Sequence, residues 1–364
     1  MKIVVDINHP GHVHYFKHFI WEMRKRGHEV LITASEKDIT FRLLERYNLE
    51  YENVGTYGTS LLLKLIKIPI IDIQYHMLMR TIKPDLFVGF GSIRAAHTSF
   101  LLGKPCINFE DTEHSTEQIR LYLPFVDVVC TPSCYSQDLG KKQIRFDGYM
   151  EIAPLHPNRF TPNPAVLDEL GLSEGDPFII VRFVSWGASH DVGQHGIRDK
   201  VGLVKALEQH GRVIITSEGE LPLELQPYQL LISPEKLHDL LYYATLYIGE
   251  GGTTASEAAV LGTPSIYVSS LVGTMGNFIE LEERYDLLYS FTDDDAALSR
   301  ATEILNDPLS KDKWRNKRER MLAEKNDVTA FMIWFIENYP WSYTEMRDHP
   351  EVQHSCAFVP HEGL

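Results

Sequence analysis

Cysteine is scarce. Four residues in 364, Cys106, Cys130, Cys134 and Cys356, include no C-x-x-C pair, which excludes a disulfide-stapled module, argues against a paired-cysteine zinc site and points to a reducing compartment, read here as the cytoplasm. An excess of basic charge is also missing. Lys+Arg number 35 against Asp+Glu 50, a formal charge of −15, so the chain as a whole repels a nucleic-acid backbone, and no local basic patch offsets this. A small phosphate ligand is not excluded, because backbone N–H groups can hold it. Met1–Ile7 enters a strand at once, without a basic segment followed by an apolar one, so no signal peptide is expected. Long apolar runs are absent too. The richest window, Leu61–Ile73, is interrupted by Lys64, Lys67, Pro69 and Asp72 and is too short to span a bilayer. A buried helix is the plain reading of it; peripheral contact with an anionic bilayer or a lipid-linked acceptor is the other. The serine-elbow pattern G-x-S-x-G, the phosphate loop G-x-x-x-x-G-K and the zinc pattern H-E-x-x-H do not occur, which removes three common enzyme chemistries.

What is present is ordinary globular composition, 44% hydrophobic and 23% charged, in a length that suits two domains. Strand and helix patterns alternate. KIVVDI (Lys2–Ile7) is followed by helical spacing through Phe16, Phe19, Ile20 and Met23 and by a second strand, Gly27–Thr33. Further strands are expected at Pro84–Phe90, Lys104–Phe109 and Val126–Thr131, the last closing the first half. The second half repeats the grammar with Phe178–Phe183, Arg212–Thr216, Leu230–Ser233, Leu246–Gly249 and Pro264–Val268. Such alternation predicts doubly wound parallel sheets. The expected layout is a Rossmann-like domain over 1–154, a Pro-rich connection, and a second Rossmann-like domain over 165–325. A terminal helix over 326–340 returns to the first domain, and 341–364 is a loosely ordered tail.

The segment with the most chemical content is Glu250-Gly251-Gly252-Thr253-Thr254-Ala255-Ser256-Glu257, set between a strand and a helix. Two glycines let a ligand approach the main chain. The following N–H groups and the Thr253, Thr254 and Ser256 hydroxyls suit a diphosphate at a helix N-terminus, and Glu257 suits ribose hydroxyls. A Gly-rich turn with an ordinary Ser/Thr cap is the competing structural reading.

Gly252-Thr253-Thr254-Ala255-Ser256-Glu257, with Leu261-Gly262-Thr263-Pro264 after it, resembles the donor-binding motif of GT-B-fold sugar-nucleotide enzymes. The likeness is to the N-acetylglucosaminyltransferase of peptidoglycan synthesis and to the hydrolysing UDP-N-acetylglucosamine 2-epimerases. Gly11-His12-Val13 is similar to the transferase's N-terminal glycine-rich loop, although Asn8, His9 and Pro10 stand where that loop has glycines. Ser185-Trp186-Gly187-Ala188 resembles its Gly-Gly-Ser-x-Gly-Ala turn, so Ser185, Gly187 and Ala188 are expected to complete the diphosphate cradle. Phe109-Glu110-Asp111 falls where both enzymes have a strand followed by Glu, and Glu117 with Arg120 resembles the epimerase's Glu-Glu-x-x-Arg. Ser92 stands in place of the epimerase's catalytic Asp, and only His190 offers its second-domain histidine.

The resemblance implies a GT-B-like α/β fold, two Rossmann-like doubly wound domains facing a cleft. It implies metal-independent transfer of a sugar from a UDP-sugar to an acceptor of unknown kind, with domain closure excluding water. No cofactor beyond the UDP-sugar substrate is implied. His12, Glu110 and Glu117 are the candidate catalytic residues; His12, titrating near neutrality, or Glu110 would deprotonate the acceptor. His9, His12, His14 and His18 crowd one stretch, but without carboxylate or thiolate partners at standard spacing no metal site is expected. Gly89-Phe90-Gly91-Ser92-Ile93-Arg94 imitates a dinucleotide fingerprint, with Arg94 where the third glycine belongs. Two rivals stay open: a UDP-sugar 2-epimerase or hydrolase using Glu110 and Glu117, and a non-catalytic sugar-nucleotide binding protein. Oligomeric state is not legible.

Overall fold

The computed structural model describes residues 1–56, 61–184, 195–230 and 232–354. They form two compact units, Met1–Arg159 together with the chain from Lys325 onward, and Phe160–Glu324.

The first unit runs β1 (Lys2–Ile7), α1 (Pro10–Lys25), β2 (Glu29–Ala34), α2 (Thr40–Arg46), β3 (Glu52–Asn53), α3 (Leu61–Ile82), β4 (Leu86–Phe90), α4 (Ile93–Leu102), β5 (Cys106–Phe109), α5 (Thr116–Tyr122), β6 (Val128–Pro132), β7 (Gln143–Phe146) and α6 (Ile152–Leu155). Its seven strands lie in the order β3-β2-β1-β4-β5-β6-β7, with every pairing parallel. Ile3, Val4, Val5 and Ile7 are all fully buried, the unbroken apolar run of a strand covered on both faces. The order reverses between β1 and β4, and that crevice at the carboxyl ends is where such sheets bind ligands.

The second unit runs α7 (Ala165–Asp168), β8 (Phe178–Phe183), α8 (Lys200–Leu207), β9 (Arg212–Ser217), α9 (Leu237–Tyr243), β10 (Leu246–Gly249), α10 (Gly252–Leu261), β11 (Ser265–Val268), α11 (Gly276–Glu283), β12 (Leu288–Phe291), α12 (Asp294–Asn306) and α13 (Ser310–Glu324). Its parallel sheet has the order β12-β11-β10-β8-β9, so its reversal falls between β8 and β10.

Helix α14 (Val328–Glu337) belongs to the first unit. Phe331 stacks on Phe146 with ring centroids 5.2 Å apart, Thr329 donates to the Ala153 carbonyl at 2.9 Å, and Glu337 accepts from Arg26 at 3.0 Å.

Several expectations are corrected. Residues after Pro340 are not a loose tail as far as they are described: α15 (Trp341–Asp348) and a 3-10 turn, Pro350–His354, follow. Ser342 donates to the Phe335 carbonyl, and Gln353 Oε1 accepts from the Asp147 amide at 2.7 Å. Polar anchors of this kind leave no apolar period to read. The first half does not close at β6, because β7 adds an edge strand in which only Ile144 and Phe146 are buried. Leu230–Ser233 forms no strand among its described residues; the 3-10 turn Leu223–Tyr228 leaves room for one bridge, Ile215 to Gln229. Helix α3 is not buried all round, since Ile71 is covered but Ile70, Ile73 and Met77 are exposed. Among the described residues no helix is long and apolar enough to cross a membrane.

Candidate functional site

In the second unit, β10 ends at Gly249 and α10 begins at Gly252, at the reversal of strand order. Gly251 is the N-cap residue in extended conformation (φ −82°, ψ 107°), and no side chain among the described residues caps the helix. The first turn is therefore built of main-chain N–H groups and the positive end of the helix dipole. The backbone here is held from three sides. The Tyr247 hydroxyl donates to the Gly251 carbonyl at 3.0 Å. Ser265 donates to the Ala255 carbonyl at 2.7 Å. Glu250, buried, accepts from the Val184 amide through Oε2 and from the Ile197 amide through Oε1, both at 2.8 Å. One carboxylate thus fixes the chain leaving β8 to the chain leaving β10.

Gly252 and Thr253 are half-buried and Thr254 is buried on the same turn. Glu257, one turn further, is buried with its Oε1 3.0 Å from Nε2 of His238, which is itself buried. A carboxylate oriented by an imidazole is suited to accept hydrogen bonds from neighbouring hydroxyls. Ser256 departs from expectation: it is fully buried and its hydroxyl donates to the Gly252 and Thr253 carbonyls at 3.3 and 3.0 Å. Its O–H closes on its own helix, as serine does within helices. Ser185, Gly187, Ala188 and His190 lie outside the described residues.

In the first unit the helix starts earlier than the sequence suggests. Pro10 occupies the first helical position and His9 caps it, its Nδ1 accepting from the Gly11 amide at 3.1 Å, so Gly11-His12-Val13 is the first turn of α1 and not a glycine-rich loop. The His12 ring is covered by Phe90 at 4.7 Å between centroids and by Tyr15 at 6.3 Å. Burial, aided by the charge of Lys37, pushes its pKa down to about 3. The expectation that His12 titrates near neutrality is therefore overturned: taking a cation out of water disfavours the protonated ring.

Glu110 follows β5 and is buried. Its Oε1 accepts from the Asp111 and Thr112 amides at 3.1 and 3.0 Å, and its Oε2 accepts from the Tyr122 hydroxyl at 2.9 Å. Burial raises its pKa to about 7, outweighing these hydrogen bonds, and Glu113 adds to the rise. Burial and the charges of Glu151 and Glu110 likewise raise Asp111 well above the usual carboxylate range. Glu117 does not join this group. It is exposed in the first turn of α5, where a carboxylate offsets the helix dipole. Its neighbour Gln118 faces inward, donating to the Gly91 carbonyl at 2.7 Å; a side chain on Gly91 (φ +51°) would meet Gln118 Nε2 at 2.6 Å and Glu110 Oε2 at 3.1 Å.

The dinucleotide look-alike has a structural explanation. Arg94 and Asp6 are fully buried, with Arg94 Nε 2.9 and 3.0 Å from the two Asp6 oxygens. Asp6 also accepts from Thr33 at 2.6 Å and Ser92 at 2.5 Å, while Arg94 donates to Ser35 at 2.8 Å. Among the described residues no group of three His, Cys, Asp or Glu side chains is placed to hold a metal ion.

Residues 1–339 match the family described as "Protein of unknown function (DUF354)". The chain belongs to this family. An uncharacterised protein of Methanocaldococcus jannaschii is 27% identical over 295 residues, which span 77% of this chain and 86% of that one. Among solved structures, the fold is similar to S. aureus MnaA in its co-structure with UDP, at 12% identity and TM-score 0.64 over 94% of this chain and 98% of that one. It is similar to the UDP-GlcNAc 2-epimerase of Neisseria meningitidis bound to UDP-GlcNAc, at 12% identity and TM-score 0.62 over 93% and 100%. It is similar also to spinosyn forosaminyltransferase SpnP, at 15% identity and TM-score 0.61 over 95% and 100%. At such identities the likeness shows the fold, two parallel-sheet α/β units of the GT-B type.

In this DUF354 protein the sequence reading missed Tyr247, His238 and Gln118, and also Arg182, whose Cδ and Nε a side chain on Gly251 would meet at 2.8 Å. Only Arg182 leaves a signal, a lone cation in the otherwise apolar strand FIIVRF.

Proposed function

We propose that the protein is a glycosyltransferase that moves a sugar from a UDP-sugar to an acceptor. The observation that carries this is the start of α10: a glycine-built helix N-terminus without a side-chain cap among the described residues, at the reversal of its sheet, with the His238-oriented Glu257 one turn along. The Gly251–Thr254 amides would hold the diphosphate and stabilise its charge as the sugar departs. Glu257 would hold the ribose. Structures of similar fold that carry UDP or UDP-GlcNAc support the choice of nucleotide. Acceptor deprotonation falls to Glu110, poised near neutrality, and not to His12, whose neutral ring is too weak a base. The same Glu110 also suits proton transfer at a sugar carbon, which favours a UDP-sugar epimerase or hydrolase as the second reading. Against it, Ser92 is engaged on Asp6.

Thermal-shift titration with UDP tests the site, since a ligand that binds only the native state raises its stability. UDP is expected to raise the unfolding temperature of the wild type and not of Glu257→Ala. A panel of UDP-sugars with and without lysate acceptors then separates the readings. Transfer requires nucleotide release that depends on an acceptor and carries label to it; isomerised sugar or release without acceptor gives the second reading.

A further inference from the structure

Arg182 lies on β8, and the chain beside it is cut back to fit. A Cβ on Gly249 would stand 2.6 Å from the Arg182 carbonyl oxygen and 2.9 Å from its nitrogen; a Cβ on Gly251 would stand 2.8 Å from both Cδ and Nε of Arg182. Two glycines therefore admit the Arg182 backbone and then its side-chain stem, which crosses the N-cap residue of α10. The arrangement sets a guanidinium beside the positive end of a helix dipole. Two positive features side by side are unfavourable unless an anion lies between or near them.

Glu218 answers that charge. Its Oε1 accepts from Arg182 Nη2 at 2.7 Å, and Thr216 Oγ1 lies 3.5 Å from Nη1. The Glu218 side chain is 38% exposed, so its pairing with Arg182 is of the weak, water-competed kind. Glu250, adjacent to the N-cap residue Gly251, already holds the Val184 and Ile197 amides.

Resting on the reading of α10 as the nucleotide site, we propose that Arg182 is the cation that receives the nucleotide's diphosphate, and that Glu218 is a stand-in anion which the diphosphate displaces. A guanidinium offers two parallel N–H groups to a phosphate, a stronger contact than an exposed carboxylate pair gives. Arg182 then also meets the charge that grows on the diphosphate as a sugar leaves.

Isothermal titration of wild type, Arg182→Gln and Glu218→Gln with UDP and with uridine tests this. Arg182→Gln is expected to weaken UDP at least tenfold while leaving uridine unchanged, and Glu218→Gln, a change at a partly exposed position, to tighten UDP several-fold without altering uridine. Arg182→Gln binding UDP like the wild type, or losing UDP and uridine alike, overturns the role of Arg182. Unchanged UDP affinity in Glu218→Gln overturns the stand-in. A wild type that binds neither ligand removes the nucleotide reading itself, and this inference with it.

Discussion

Replacing Glu110 by Gln tests the proton-transfer assignment through stability, without any knowledge of the substrate. Burial raises the Glu110 pKa from the ordinary 4.5 to about 7. Below the lower value both folded and unfolded chains hold the proton, and above the higher value both have lost it. Between them the folded chain keeps a proton that the unfolded chain releases, so the free energy of unfolding falls as pH rises. The gap corresponds to about 3 kcal/mol lost between pH 4.5 and 8. A Gln at this position stays neutral throughout and removes that slope. The offset from disturbing the Tyr122 hydrogen bond is present at every pH and cancels when conditions are compared. Urea unfolding followed by tryptophan fluorescence at pH 4.5, 6, 7 and 8 should therefore show Glu110→Gln gaining on the wild type by about 3 kcal/mol across the series. A difference that stays flat with pH means that Glu110 titrates as an ordinary carboxylate, and the assignment of acceptor deprotonation to it falls. In turnover, a base with this pKa gives a rate that rises with pH through about 7.

Glu250→Gln turns one of two acceptor oxygens into a donor facing a backbone N–H. A loss of about 1.5–3 kcal/mol should speed hydrogen exchange at the Val184 or Ile197 amide by roughly 10- to 100-fold, and unchanged exchange at both contradicts the clamp. Arg94→Met leaves Asp6 buried without its cation and should cost about 3–5 kcal/mol, whereas adding Asp6→Asn should recover part of it; additive losses in urea unfolding would show that the two do not act as a pair. His12 should remain a neutral imidazole at pH 5 because burial pushes its pKa to about 3, and ring-nitrogen chemical shifts that titrate near 6.5 would contradict this.

The elements that sequence reading captured are those whose signal is local. Strands β4 and β10 are buried along their whole length, and β1 and β8 at every residue but one, Lys2 and Arg182, so each stands out as a compact apolar run, and Gly251-Gly252 marks the turn into α10 whatever surrounds it. Edge strands are harder: β7 and β12 bury only part of their residues, and little distinguishes them from loop. Site residues depend on helix phase and on distant neighbours. In α5 the inward face carries Ile119 and Tyr122, which brings Gln118 to Gly91 and leaves Glu117 in water, a difference of one residue. His12 carries an ordinary imidazole until Phe90, at the end of β4, covers it. Ser256 looks like a phosphate ligand in the sequence, and its orientation follows only once the helix starts at Gly252.

The two units solve one electrostatic problem in opposite ways, and this bears on which of them handles an anion. Each has a helix that starts beside the reversal of its sheet and an arginine near that start. In the first unit the anion is internal: Ser92 caps α4 by accepting from the Ala95 amide and at the same time donates to Asp6, which also takes Arg94. The positive end of α4 and the guanidinium thus share one buried carboxylate, and a phosphate brought there would meet a negative charge. In the second unit the helix start carries no side-chain cap among the described residues, Glu250 is turned to two amides, and Arg182 is paired with the partly exposed Glu218. A dianionic ligand gains more at the second than at the first. Moving the carboxylate inward, by replacing Thr253 with Asp, should therefore make the second unit resemble the first and abolish its stabilisation by UDP; stabilisation that survives places the diphosphate elsewhere.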